Sequence, residues 1–386
     1  MTYPKAQQRL VYDWFLARGL PLVLTRRVRS RALIARSAPA VAGVGALTAV
    51  TMLLADVTGD HPDYGYIIRL AIITGVLTAA PFGLYVLHQM GTTASEAGRR
   101  SAALAVMAIF VLVTPVAASG WSAAAFAEVP IFLVVSLVTI WFTYLGFGSI
   151  LLWAFRFAWV QLGALGTLMS RALPLLMLTV VVYFTGELWQ LAARMTRERL
   201  WQTIGFLSLV ALLFMVATIR DEVRALREDR SEQSDPAALL IDTPLAAVPD
   251  PAQRTPLSHA EQINVVAVMV VAQAIQVALF TAGLFAFFMA LGVIAIPDDV
   301  TVLWSGEETC AVGQPPCAGT WFGIHIPVPQ TVVHTSLFVA VLSGLYFTVS
   351  TSVDPLYRQR FFEPLIADVA VSLAGRDAYL EMEGRR

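Results

Sequence analysis

The feature that most constrains the fold is an almost wholly apolar block that runs from Pro130 to Arg220. A transmembrane helix needs roughly 20 predominantly apolar residues, so this block is far too long for a single crossing. It also contains too few polar residues to leave the lipid for long. The block must therefore fold back on itself within a membrane.

The composition of the whole chain agrees with this. Hydrophobic residues make up 57% of the 386 residues and charged residues only 14%, whereas a soluble globular protein carries roughly 25% charged residues. The formal net charge is −1, so no positive field points to nucleic acid as a partner. These values predict an all-α, polytopic membrane protein whose surroundings are the lipid bilayer.

About eight apolar runs are long enough to be transmembrane helices. They cover residues 38–55, 66–90, 101–119, 129–153, 172–192, 200–219, 264–296 and 330–350. The stretch 155–171, between the fourth and fifth runs, contains two glycines and two arginines and is predicted to be interfacial or re-entrant. The number of crossings within 129–219 therefore stays open.

The predicted spans fall into two groups. Residues 37–219 form a six-span part, and residues 264–350 form a two-span part. Residues 220–263 separate them, beginning as a charged helix and continuing as a flexible linker rich in Pro, Ala, Asp and Ser. Ser258 followed by Glu261 is a capping-box pattern that predicts the start of the next helix.

Both ends of the chain are predicted to be amphipathic surface helices. Residues 1–36 are rich in arginine, and their apolar side chains fall at helical spacing, which predicts a helix lying on the membrane surface. Residues 351–386 contain one helical stripe, which predicts a helix on the inner surface or against the 220–263 insert. That stripe consists of Phe362, Leu365, Ile366, Val369 and Leu373.

The distribution of arginines predicts the orientation. Under the positive-inside rule, both termini lie in the cytoplasm of a bacterial cell and the chain sits in the plasma membrane. The short connector 194–199 is discordant, because this count of spans places its three arginines outside. The loop 297–329 then lies outside as well.

Two cysteines lie close together in that outer loop. Cys310 and Cys317 flank a turn with one glycine and two prolines, which predicts a disulfide on the oxidising side of the membrane. A metal site is the lesser alternative, because two cysteines need two more ligands and only His325 lies near.

Polar side chains inside the predicted spans are the candidates for function, since ionisable groups are costly in lipid. Glu187 is the leading one, because a carboxyl group within a span can carry a proton or bind a cation. The alternative is a Glu187 that lies near the outer interface and is hydrated, or paired with Arg194 or Arg69. The other candidates are Tyr183, Arg69, Gln273, Gln276 and His334.

Most sequence signals of catalysis are absent. The chain has no HExxH, GxSxG, Walker or strand-associated GxGxxG motif, and its five histidines are scattered. The sequence therefore predicts a protein that is not an enzyme and that holds neither a cofactor nor a metal.

Two functions remain open. The first is a scaffold or accessory subunit of a cell-envelope complex, which associates with other membrane proteins or with itself. The second is a small-solute or ion transporter or channel with Glu187 in its pathway. Convergence of the candidate polar residues on one cavity would favour transport, and separate interfaces would favour the scaffold.

The tail of the chain also carries a resemblance. The segment YRQRFFEPLIADVAVSLAGRDAYL, residues 357–380, resembles the C-termini of uncharacterised multi-spanning membrane proteins from actinobacteria. The resemblance covers only these residues. It implies no activity, and it transfers no functional residues.

Overall fold

The structure is a computed structural model of the chain. It describes residues 5–24, 30, 33–57, 96–119, 123–162, 179–229, 236–246, 248, 256–305, 318–321, 324–382 and 384.

The described part of the chain is all-α, as its composition predicts, apart from one pair of short strands, β1 (Ala318–Trp321) and β2 (Ile324–Pro329). A π-helical turn, Arg358–Phe362, precedes the last helix. The helices are α1 (Lys5–Ala17), α2 (Leu33–Val57), α3 (Glu96–Ser119), α4 (Ala123–Leu145), α5 (Phe147–Leu162), α6 (Gly186–Arg194), α7 (Arg197–Asp229), α8 (Pro236–Leu240), α9 (His259–Ala295), α10 (Asp298–Ser305), α11 (Gln330–Val353), α12 (Pro355–Tyr357) and α13 (Glu363–Met382).

Four of the described helices are long and apolar enough to cross a membrane, and they mark the chain as a membrane protein. They cover Phe126–Leu145, Arg197–Leu226, His259–Ala295 and Gln330–Val353. Shorter apolar helices cover Leu33–Thr48, Arg100–Val116 and Phe147–Val160. The predicted span 66–90 lies outside the described residues, so a count of eight spans is not confirmed.

Two predicted spans are interrupted where the sequence predicts continuous helix. The predicted span 129–153 divides at Gly146, whose φ of 76° lies in the left-handed region that glycine tolerates. In the predicted span 172–192, helical residues end at Tyr183 and α6 begins at Gly186, with Thr185 extended between them. Hydropathy does not reveal either break, because the flanking residues are apolar on both sides.

The chain folds into two compact units. The larger unit contains residues 1–23, 149–320 and 325–386, and the smaller unit contains residues 24–148 and 321–324. The division falls within α5, whereas the predicted boundary falls in the insert 220–263. The difference arises because α7, in the predicted six-span part, packs on α9 and α11 of the predicted two-span part.

The smaller unit is built on α2, α3 and α4, which pack against one another pairwise. Phe110 of α3 lies edge-on to Phe132 of α4 with ring centroids 5.4 Å apart. A Cβ atom at Gly45 of α2 would lie only 3.2 Å from the Phe110 ring. Small residues on α2 therefore let α3 approach closely, as in many membrane helix pairs.

The larger unit is organised around α11. In the most apolar 18-residue stretch of α11, 61% is buried inside the protein, against 11% for the same stretch of α7 and 17% for that of α9. Helix α11 is therefore the inner helix of the three. It runs antiparallel to α9: Gln273 meets Thr351, and Phe280 stacks on Phe347 at 4.3 Å. Helix α7 runs in the same direction as α11, because Glu222 near its end reaches Arg358, just beyond α11.

This arrangement gives the larger unit two ends. At the α6–α10 end, α6 packs on α10 and on α11, close to where α9 finishes. At the terminal end, α1 and α8 pack on α13, close to where α9 begins. The N-terminal helix, the insert and the C-terminal helix therefore share one end, and the connector 194–199 lies at the other.

The N-terminal helix packs on protein rather than presenting its apolar side to a membrane surface. Its Val11 and Phe15 are fully buried, and Phe15 lies edge-on to Tyr379 of α13 at 5.6 Å. Arg18 bonds to Asp368 of α13 at 2.8 Å. The expectation of a membrane-surface helix is corrected here, because α13 covers the apolar face that was expected to lie on lipid.

The C-terminal helix packs against the insert, which is one of the two placements expected for it. Four of its five stripe residues are buried, and the fifth, Ile366, is half-buried. Its second half is buried on every side, because a side chain at Gly375 would meet both Trp14 of α1 and Leu245 of the insert. The helix is thus a core element of the terminal end.

A glycine on α9 tests the packing of α9 on α11. A side chain at Gly292 would overlap the Tyr183 hydroxyl and Val332, whereas a side chain at Gly283 would meet nothing within 4 Å. Gly292→Ala should lower the free energy of unfolding in detergent by about 1–3 kcal/mol through overpacking. Gly283→Ala, the matched control on the same helix, should be neutral or slightly stabilising. Equal thermal stability of the two variants would contradict this packing.

Candidate functional site

Glu187 lies at the α6–α10 end, in the first turn of α6, with its side chain exposed. It follows the helix break, because Thr185 occupies the N-cap position in an extended conformation. A carboxylate in a first turn is favourably placed relative to the helix dipole. Glu187 is therefore an exposed carboxylate at the start of a helix, which is close to the alternative in which this residue is hydrated.

Tyr183, one turn earlier in sequence, is instead fully buried. Its hydroxyl donates to the Phe288 carbonyl of α9 at 3.0 Å and lies 3.2 Å from Ser336 Oγ of α11. Its own carbonyl accepts a hydrogen bond of 2.7 Å from Trp189 Nε1. The Tyr183 side chain therefore joins its own segment to α9 and α11, and the Trp189 side chain satisfies the Tyr183 carbonyl that the break frees.

His334 lies on the same end of α11 and is also buried. Its Nδ1 is 3.2 Å from the Ala192 carbonyl, and its Nε2 is 3.2 Å from Gln330 Nε2. Both contacts are satisfied when Nδ1 donates and Nε2 accepts, which corresponds to a neutral imidazole. In this arrangement His334 fastens α6 to α11.

The two glutamines of α9 lie nearer the terminal end. Gln273 donates to Thr351 Oγ1 at 2.6 Å, and that hydroxyl donates to the Thr348 carbonyl at 2.8 Å. Gln276 is buried as well. Thr351 is seventeen positions from His334, which corresponds to roughly 25 Å along the helix axis at a rise of about 1.5 Å per residue. The candidates on α9 and α11 thus occupy separate levels.

Three predicted site residues lie outside the described residues: Arg69, Cys310 and Cys317. The disulfide therefore stays a prediction. Within the ranges that the structure describes, no cluster of three His, Cys, Asp or Glu side chains could hold a metal ion.

A buried charge cluster at the terminal end was not predicted from the sequence. Arg376 of α13 donates through Nε and Nη2 to both carboxylate oxygens of Glu261, each at 2.8 Å. Arg376 Nη1 also reaches Asp377 at 3.1 Å, and Nη2 reaches the Pro256 carbonyl. Arg376 is almost fully buried. It follows Leu373 by three positions and Val369 by seven, so it lies on the buried face of α13, against α9 and the insert.

The predicted capping box is confirmed and is part of this cluster. The Ser258 hydroxyl accepts from the Glu261 backbone N–H, and the Glu261 carboxylate accepts from the Ser258 N–H at 2.8 Å. The same carboxylate therefore caps α9 and holds Arg376. The signal available in the sequence was an Arg-Asp pair next to the apolar stripe of α13.

A second feature that was not predicted is a cleft of about 550 Å³ between α5 and the π-helical turn. Arg156, which lies among aromatic residues of α5, is not among the site residues predicted from the sequence. The cleft is lined by Trp153, Arg156, Phe157, Val160, Gln359, Arg360 and Pro364.

The buried ion pair should carry much of the stability of the terminal end. Arg376→Ala leaves Glu261 buried without its partner and should lower the free energy of unfolding by about 3–5 kcal/mol. The matched control is Arg358→Ala, which removes a more exposed pair with Glu222 and should cost about 0–1 kcal/mol. Unfolding in detergent measures both. Similar losses for the two variants would contradict the assigned role of the buried pair.

Comparison with known proteins does not assign this chain to a family. No known protein family, no curated protein and no solved structure matches this chain. The resemblance of the tail to actinobacterial membrane proteins stays a prediction.

Proposed function

We propose that this protein is a scaffold or accessory subunit of a membrane-bound cell-envelope complex. The observation that carries the proposal is the use of polar side chains within the larger unit. Gln273, Tyr183 and His334 each bond to a neighbouring helix. In the part of the chain that the structure describes, these contacts hold one helix to another.

A transport pathway would place polar groups where water or substrate reaches them along the bundle. Gln273 and Gln276 are buried between helices, roughly 25 Å along α11 from His334. Glu187 is exposed at the α6–α10 end, beyond these interhelical bonds. The separation of these positions supports an architectural role for the bundle.

The outer faces of the apolar helices suit lipid or other membrane proteins. Phe206 and Leu213 of α7 are 64% and 61% exposed, although α7 is long enough to span a membrane. Lipid tails or a neighbouring transmembrane helix can cover such a face without polar groups. The terminal end adds a folded body in which α1, α8 and α13 are held together, which suits docking to a soluble partner.

We further propose that the chain crosses the plasma membrane of a bacterial cell about eight times, with both termini in the cytoplasm. The proximity of α1, α8 and α13 supports a common side for both termini and the insert. The connector 194–199 and α10, which leads into the cysteine loop, share the opposite end. Because the connector and α10 lie at the same end, they support the count of spans that places both outside, although the connector contains three arginines.

A transporter is the second candidate, and the break between Tyr183 and Gly186 favours it. Discontinuous helices form the ion and substrate sites of many transporters, where a helix N-terminus faces an anionic group. Glu187 lies in the first turn of the helix that follows this break. The exposed Glu187 would then be an entry residue rather than a buried relay.

Ion and proton flux in proteoliposomes distinguishes the two functions. We expect no flux above that of empty liposomes for the native chain, for Glu187→Gln, or for the control Glu198→Gln, which alters another exposed carboxylate near the same end. Extraction of the native membrane in polymer nanodiscs should give an assembly larger than one copy. Flux that Glu187→Gln abolishes and Glu198→Gln preserves would contradict the scaffold role and establish transport.

A further inference from the structure

The cleft between α5 and the π-helical turn combines two basic groups with an apolar floor. Arg156 of α5 and Arg360 of the turn line it together with the amide of Gln359. Trp153, Phe157 and Val160 supply one apolar wall. The rings of Trp153 and Phe157 stack on each other with centroids 5.2 Å apart.

The charges of this cleft are unbalanced. Among the residues that the structure describes, no carboxylate lines the cleft, and none forms an ion pair with Arg156 or Arg360. The adjacent Arg358, by contrast, is paired with Glu222 at 3.0 Å. Two guanidinium groups that face one space repel each other, and an anion between them removes that repulsion. Guanidinium groups bind phosphate through paired hydrogen bonds.

The π-helical turn explains why Arg360 is available. The turn buries Phe361 and Phe362 in the protein and directs Arg358 towards Glu222. Gln359 and Arg360 remain exposed on its other side, next to α5. Single π-helical turns are rare and occur frequently at functional sites.

The cleft lies close to the end of a helix that is long enough to span a bilayer. Helix α11 is long enough to span a bilayer and ends at Val353, a few residues before the turn. Near the other end of α5, Ile150 packs beside Gly19, in the turn that follows α1. Tryptophan and arginine are favoured at the headgroup level of a bilayer.

We propose that this cleft binds an anionic phospholipid, with its phosphate on Arg156 and Arg360. The acyl chains lie along Trp153, Phe157 and Val160. The apolar wall favours a lipid over free phosphate, which would gain nothing from these side chains. The proposal goes beyond the scaffold role and does not depend on it, because it requires only that the larger unit lies in a bilayer.

Native mass spectrometry of the full chain in detergent, titrated with phosphatidylglycerol or phosphatidylcholine, tests this assignment. Arg156→Gln and Arg360→Gln should each weaken phosphatidylglycerol binding about tenfold, since each removes a charge-assisted contact. Arg358→Gln, the matched control in the same turn, should leave binding unchanged. Equal affinity for the two lipids, or an equal loss in the control, would overturn the proposal.

Two further arms make the test independent of the variants and of the anion source. Photoactivatable phosphatidylglycerol in proteoliposomes should label the native chain within 153–160 or 359–364, and labelling confined to other segments would overturn the assignment. Millimolar inorganic phosphate should not displace the lipid. Displacement would mean that the cleft is a site for free phosphate rather than for lipid. None of these readouts depends on flux or on a partner protein.

Discussion

The larger unit depends on the burial of α11 between α7 and α9. This helix is rich in serine and threonine, yet it is the most buried of the three long helices. Several of its hydroxyls bond to their own backbone: Ser343 donates to the Val339 carbonyl and Thr348 to the Gly344 carbonyl. The exposed parts of these side chains are then small and apolar, so α7 and α9 approach closely. The few remaining polar contacts, such as Gln273 with Thr351, fix the register between helices.

The terminal end depends on a different balance, because charges are buried there. Arg376 and Glu261 lose their hydration, and their paired hydrogen bonds offset that cost only while both partners are present. Asp368 is also partly buried: burial raises the pKa of its carboxyl group, and Arg18 at 2.8 Å opposes that rise. These pairs contribute mainly by defining one arrangement of α1, α9 and α13, since misplacing any of the three helices leaves a buried charge alone.

Parts of this architecture could be predicted from the sequence because they follow from local patterns. Hydropathy predicted the long helices α7, α9 and α11, the Ser258–Glu261 pattern predicted the start of α9, and the stripe of α13 predicted its buried face. The break at Thr185 could not be predicted from hydropathy. The carbonyls that it frees, those of Tyr183 and Val182, are satisfied by the side chains of Trp189 and Thr185, and such contacts leave no mark on the apolar pattern. The ion pair of Arg376 could not be predicted either. Its position three residues after Leu373 places it on the buried face, but periodicity does not identify Glu261 as its partner.

The proposed sidedness of the larger unit rests on the separation of its two ends. The insert between α7 and α9 belongs to the terminal end, whereas the chain leaves the α6–α10 end from α10 towards Cys310 and Cys317. The chain has no other cysteines. A thiol-reactive label on the native chain therefore tests the loop that follows α10, with no substitution needed.

Labelling with a membrane-impermeant maleimide tests the central claim most directly, which is that the two ends lie on opposite sides of a membrane. After reduction, the native cysteines should react in intact cells. A chain with Cys310→Ser, Cys317→Ser and Asp242→Cys, which carries its only thiol on the insert, should react only after the membrane is opened. Reaction of both chains from the same side would contradict the claim.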